Sequence, residues 1–92
     1  MEHYTSVHPE AVLRDELEER SISQKRVALH IGVLPKAINE ICRGKRGISA
    51  EMAVLLAQAL GASPSYWLNL QKNWELGQVQ LAHRKKIRRI AA

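Results

Sequence analysis

At 92 residues the chain has room for one domain with a small core, so its elements must be short and well capped. Hydrophobic residues make up 46% and charged ones 25%, which argues against global disorder, and the single Cys42 excludes a disulfide framework or a thiolate zinc site. The net charge of +5 is segregated: residues 1–20 carry −4, 21–50 carry +5, 51–83 carry −1 and 84–92 carry +5, a basic centre and tail that suit a polyanion such as nucleic acid.

Turn signals cut the chain into five helical stretches. His8-Pro9 opens the first, because proline at an early helix position forfeits no needed donor and Glu10 complements the helix dipole. Val12, Leu13 and Leu17 make its apolar stripe, with Glu16, Glu18 and Glu19 mostly off it, and Ser21-Ile22-Ser23 breaks it. Ser23 is a good N-cap for a second helix to about Ile31, with Val27, Ala28 and Ile31 inward, and Gly32 stops it as a left-handed residue would. Helical spacing resumes at Ile38, Ile41 and Cys42; Pro35 suits the first turn of this third helix, and Gly44 ends it. Gly44-Lys45-Arg46-Gly47 is a loop, and Ser49 caps a fourth helix with Met52, Ala53, Leu56, Ala57 and Leu60 on its apolar face, closed by Gly61. Ser63-Pro64 begins a fifth, which carries Trp67, Leu70 and Trp74 and runs past Gly77 to about Leu81. The final HRKKIRRIAA reads as a frayed helix end or tail. The expected organisation is one all-α domain over residues 1–83 and a basic tail over 84–92. No apolar run reaches the ~20 residues of a membrane span or forms a signal-peptide core, so a soluble cytoplasmic protein with no membrane partner is expected.

Two short helices joined at Gly32 inside a five-helix bundle is a helix-turn-helix arrangement, here over about residues 23–43. Val27, Ala28, Ile31, Ile38 and Ile41 must be apolar or small to hold the two helices at a steep angle. Lys36, Ala37, Asn39 and Glu40 are then candidates to face base edges in a major groove. Ser23, Gln24, Lys25, Arg43, Lys45 and Arg46 are candidates for phosphate, the first three at a helix N-terminus that attracts anions. A carboxylate in the groove repels phosphate, so Glu40 either accepts from a cytosine amino group or pairs with Lys36 or Arg43 on its own helix.

Ser23-Gln24, Ala28, Gly32, Ile38, Ile41 and Gly44 fall at the spacing of the lambda-repressor-like (Xre-type) DNA-binding family. HPEAVLRDEL and then AINEICRGKRGISAEMAVLLAQALGASPSYWLNLQ closely resemble the HigA-type antitoxins, also called virulence-associated protein I-like, over roughly residues 8–75. The resemblance implies a homodimeric repressor that binds its own double-stranded operator DNA, acts at the bacterial nucleoid and neutralises an RNase toxin of the HigB type. One departure is Glu10, which stands where such proteins often carry glycine after the opening His-Pro. A lone Xre-type regulator without a toxin is the nearest alternative, and a protein-only interaction module is the rival from another class.

The remaining features divide between ordinary and functional readings. Trp74, Leu76, Val79 and Leu81 continue apolar beyond what a four-helix core needs, which makes them the candidate dimer interface. Glu10, Asp15, Glu16, Glu18 and Glu19 have the wrong sign for DNA; they are either a solvated face or the surface for a basic, RNA-binding toxin. His3, His8, His30 and His83 match no metal-ligand spacing, and Cys42 on the inward stripe behaves as a small hydrophobe. No nucleophile triad, phosphate loop or paired-carboxylate cleft appears. Neither enzymatic activity nor any cofactor or metal is expected.

Overall fold

Within residues 8–83 and 87–91, which the computed structural model describes, the chain forms α1 (Pro9–Glu19), α2 (Gln24–Ile31), α3 (Pro35–Cys42), α4 (Ala50–Leu60) and α5 (Pro64–Ala82). Four of these helices begin where a polar side chain takes up a free backbone amide. His8 Nδ1 accepts from the Glu10 N–H at 3.1 Å, and Ser23, Ser49 and Ser63 hydroxyls accept from Arg26, Met52 and Tyr66 at 3.0, 3.1 and 3.1 Å. Only α3 starts on a residue with no acceptor to offer, Leu34. The architecture is therefore all-α among the described residues.

The core is drawn from every helix. Leu13, Ile38, Ile41, Leu56 and Trp67 are its largest fully buried apolar side chains, joined by Leu17, Val27, Ala28, Met52 and Leu60. α3 packs against both α1 and α2, and α5 lies mainly along α4. Trp67 links the last pair, because its indole Nε1 donates to the Gly61 carbonyl at 3.1 Å just past the end of α4. Cys42 is a free thiol in this core; its burial pushes the thiol up, with Arg14 opposing and Glu10 reinforcing the shift, so it stays neutral and apolar in character.

Being packed on two sides widens the buried arc of α3 beyond a single stripe. Ala37, Ile38, Ile41 and Cys42 are all buried, so Ala37, read as an outward, base-facing residue, is only 9% exposed and reaches the surface only at the cleft beside Lys36. At the other end, α5 outruns the core, with every residue from Gln78 to His83 exposed. Residues 87–91 continue as exposed chain without regular structure. Glu2 of the acidic segment and Arg84, Lys85 and Lys86 of the basic tail lie outside the described residues.

Candidate nucleic-acid interface

The turn between α2 and α3 is set by backbone chemistry. Gly32 has φ 80°, a conformation that costs any residue with a Cβ. From there its N–H donates to the Leu29 carbonyl at 3.3 Å and the Val33 N–H donates to the Ala28 carbonyl at 2.9 Å. These two bonds close the last turn of α2 and redirect the chain into α3 within Val33 and Leu34. Ala28 is fully buried, so its single methyl lets the second helix come close.

α3 consequently turns Lys36 and Asn39 outward. The Lys36 side chain is 78% exposed, and its Nζ lies 4.0 Å from Glu40, a loose contact that leaves it free to reach elsewhere. Asn39 Nδ2 donates to Gln24 Oε1 at 3.2 Å, so a residue read as base-facing and one read as phosphate-facing are joined across the two helices. Ser23 spends one lone pair of its hydroxyl on the Arg26 amide while staying exposed, and Lys25, Arg43 and Lys45 are exposed.

Glu40 takes neither base-facing nor Arg43 pairing as its main role. Its half-buried carboxylate forms an ion pair with Arg46 at 2.8 Å, with Lys36 as the weaker second cation. Arg46, still half exposed, is thus paired against α3 through one end of its guanidinium. The loop is folded back by its backbone, with the Lys45 N–H donating to the Glu40 carbonyl at 2.8 Å past the left-handed Gly44, which places Lys45 and Arg46 beside the C-terminal half of α3.

Gln71 fixes the other end of that loop. It lies four residues after Trp67 on the inward face of α5 and is buried, with Oε1 accepting the Ile48 N–H at 2.9 Å and Nε2 donating to Glu75 at 2.8 Å. Gly47 suits the place beside it, since a Cβ there would come within 2.8 Å of the Gln71 amide and push that side chain off its bonds. Replacing Gln71 with leucine removes the acceptor and leaves a buried amide unpaired, which costs about 1–3 kcal/mol. Urea denaturation of Gln71→Leu is expected to show that loss; an unchanged midpoint would mean that water reaches Ile48.

The other predicted surfaces are placed less uniformly. Asp15, Glu18 and Glu19 line one shallow concavity on the outside of α1, and Glu16 beside them pairs with Arg20 at 3.0 Å. Glu10 does not belong to that face. Its carboxylate lies against Gly44, within 3.4 Å of His8 and 3.8 Å of Arg14, which corrects its assignment as an outward partner contact. Trp74 is half-buried, its ring edge-on to His8 at 4.4 Å, so part of its surface is already covered within the chain. Leu76, Val79 and Leu81 are open, at 55, 53 and 50% exposure.

An outward face on the second helix, a left-handed glycine turn and a cationic loop alongside define a helix-turn-helix protein. Residues 13–67 match the helix-turn-helix family HTH_3, and the chain belongs to that family. It is similar to Virulence-associated protein I of Dichelobacter nodosus, at 38% identity over 72 residues spanning 77% of this chain and 67% of that protein. Among solved structures it resembles the Pseudomonas aeruginosa antitoxin HigA with the higBA promoter, at TM-score 0.81 and 38% identity over 86% of this chain and 87% of that one. It also resembles Pseudomonas aeruginosa PA4674 in complex with its 28-bp operator DNA, at TM-score 0.84 and 38% identity over 89% of this chain and 91% of that one.

Proposed function

We propose that this protein is a DNA-binding transcriptional repressor of the HigA antitoxin type, which represses its own operon and neutralises an RNase toxin of the HigB type. The observation that carries the reading is the exposed pair Lys36 and Asn39 on α3, set beside the basic loop of Arg43 and Lys45. α3 enters the major groove with Lys36 and Asn39 at base edges, while Ser23, Gln24, Lys25, Arg43 and Lys45 meet phosphates. Arg46 can join them through the guanidinium donors that its ion pair with Glu40 leaves free. The similar proteins bound to operator or promoter DNA support this partner. The protein works by binding, in the cytoplasm at the nucleoid, and needs no cofactor.

The reading includes a homodimer through the exposed Leu76, Val79 and Leu81, with the outer edge of Trp74 at its margin. A two-fold dimer matches a two-fold operator whose half-sites lie about 34 Å apart. The basic tail from residue 84 onward adds charge that suits the DNA backbone. Footprinting on the DNA upstream of the protein's own reading frame, with sedimentation in parallel, tests this. Two protected half-sites one helical turn apart and a dimer at micromolar concentration are expected; a monomer with full operator affinity would overturn the dimer.

The toxin face is assigned to Asp15, Glu16, Glu18 and Glu19, whose outward negative charge suits a basic RNA-binding partner. Reversing Glu16 and Glu19 to lysine is expected to slow association with the product of the adjacent reading frame roughly tenfold at low salt, because such charges act mainly on the on-rate. Operator binding should be unchanged or tighter. Unaltered capture kinetics at low salt would remove this surface from the account.

A further inference from the structure

The start of α3 departs from the pattern of the other four helices. Each of those opens on a side chain that accepts an amide, whereas α3 opens on Leu34, which offers none. Leu34 is also 73% exposed, more than any other large apolar residue among the described ones except Ile87 and Ile90 near the C-terminus. An exposed leucine at a capping position forgoes both a helix cap and burial. Its surroundings indicate what it meets. Leu34 lines one cleft together with Ala37, Lys36, Arg46 and Glu51.

We propose that Leu34 is a specificity residue which packs on the C5-methyl of a thymine in the operator. Lys36 beside it is mostly exposed and only loosely held by Glu40 at 4.0 Å, which leaves its ammonium free to meet DNA next to the leucine. Within the major groove, every base-pair edge is polar except at thymine, whose methyl is the one apolar group presented there. Lys36, two residues on, is the neighbouring reader of the same groove, so the leucine and the lysine together distinguish a thymine from the base pair beside it. This inference rests on the operator reading above and adds to it the chemistry of one base position. Leu34 offers far more apolar surface there than Ala37, which lines the same cleft but is only 9% exposed.

The test uses the full chain and the footprinted operator, with each thymine of one half-site changed in turn to deoxyuridine, which removes only the methyl. For the unaltered protein, at least one such change is expected to weaken binding about fourfold, the worth of one buried methyl group. Leu34→Ala should bind the thymine operator more weakly and lose its discrimination at that position. Leu34→Ser should do the same while melting at higher temperature, because serine restores the cap. These opposite signs separate base contact from a fold defect. Equal affinity for all uridine operators, or discrimination that survives in Leu34→Ala, would overturn the inference while leaving operator binding in place. So would a Leu34 variant that changes oligomeric state or toxin capture but not thymine preference. If the unaltered protein shows no preference for the upstream DNA, the operator reading fails and this inference falls with it.

Discussion

Trp67→Ala is expected to cost about 3–5 kcal/mol, the range for emptying a buried aromatic site. Small domains hold only about 5–15 kcal/mol in total, so a large part of the fold's margin would go with this one side chain. Two contributions are lost together. The indole is 1% exposed in the core, and its Nε1 bond to the Gly61 carbonyl joins the start of α5 to the end of α4. Trp67→Phe should separate them, since it keeps most of the packing and loses the bond, worth about 1 kcal/mol. Urea denaturation followed by circular dichroism reads both. A Trp67→Ala midpoint equal to that of the unaltered chain would mean that α5 is not needed to hold the core, and with it the loop that Gln71 anchors.

Lys36→Ala is expected to weaken binding to the operator by about 1–3 kcal/mol and to relax preference at one base pair, with little change on unrelated DNA. The expectation follows from position. Lys36 lies in the first turn of α3, mostly exposed and only loosely held by Glu40 at 4.0 Å, so its ammonium can reach guanine O6 and N7. Lys45 lies past the helix end, a position that the proposed docking assigns to the DNA backbone. Lys45→Ala should therefore weaken all sequences alike and reduce the slope of log K against log salt by about one. Arg46→Ala is a different case, because it also releases the Glu40 carboxylate next to the groove. Its loss should exceed that of Lys45→Ala, and Glu40→Gln should bind DNA more tightly than the unaltered chain. If Lys36→Ala lost affinity equally on operator and unrelated DNA, Lys36 would be a phosphate contact.

Much of this was legible in the sequence, because its signals are local. A serine ahead of a helical period marks the starts of α2, α4 and α5, and each hydroxyl does accept an amide three residues on. Gly32 likewise announces the left-handed turn on which the helix-turn-helix depends. The misreadings arise where contacts are long-range or where a helix has two neighbours. Ala37 looks outward on a single-stripe helix, and only the packing of α3 on both α1 and α2 buries it. Glu40 meets Arg46 because the loop folds back, and Asn39 meets Gln24 across fifteen positions; neither spacing follows from helix periodicity. Gln71 did leave a trace, as a polar residue at an inward position between Trp67 and Trp74. That trace marks a buried hydrogen-bonding group, and its partner, the Ile48 amide, appears only in three dimensions.

The charge pattern was legible only in part for the same reason. The −4 of residues 1–20 suggested one continuous acidic surface. Glu10 instead lies partly covered against Gly44, His8 and Arg14, and the freely outward charge reduces to Asp15, Glu16, Glu18 and Glu19. Helical spacing separates exposed from buried residues, but it does not fix which way a residue in the first turn points once a loop crosses it.

The central claim, that α3 reads sequence while the surrounding cations hold the backbone, is tested most directly by titrating the unaltered protein. The two targets are the DNA upstream of its own reading frame and a scrambled duplex of equal length and composition, each at several salt concentrations. The account predicts that both affinities fall steeply with salt, and that the upstream duplex stays at least about a thousandfold tighter throughout. Equal affinity for the two duplexes at every salt concentration would contradict it.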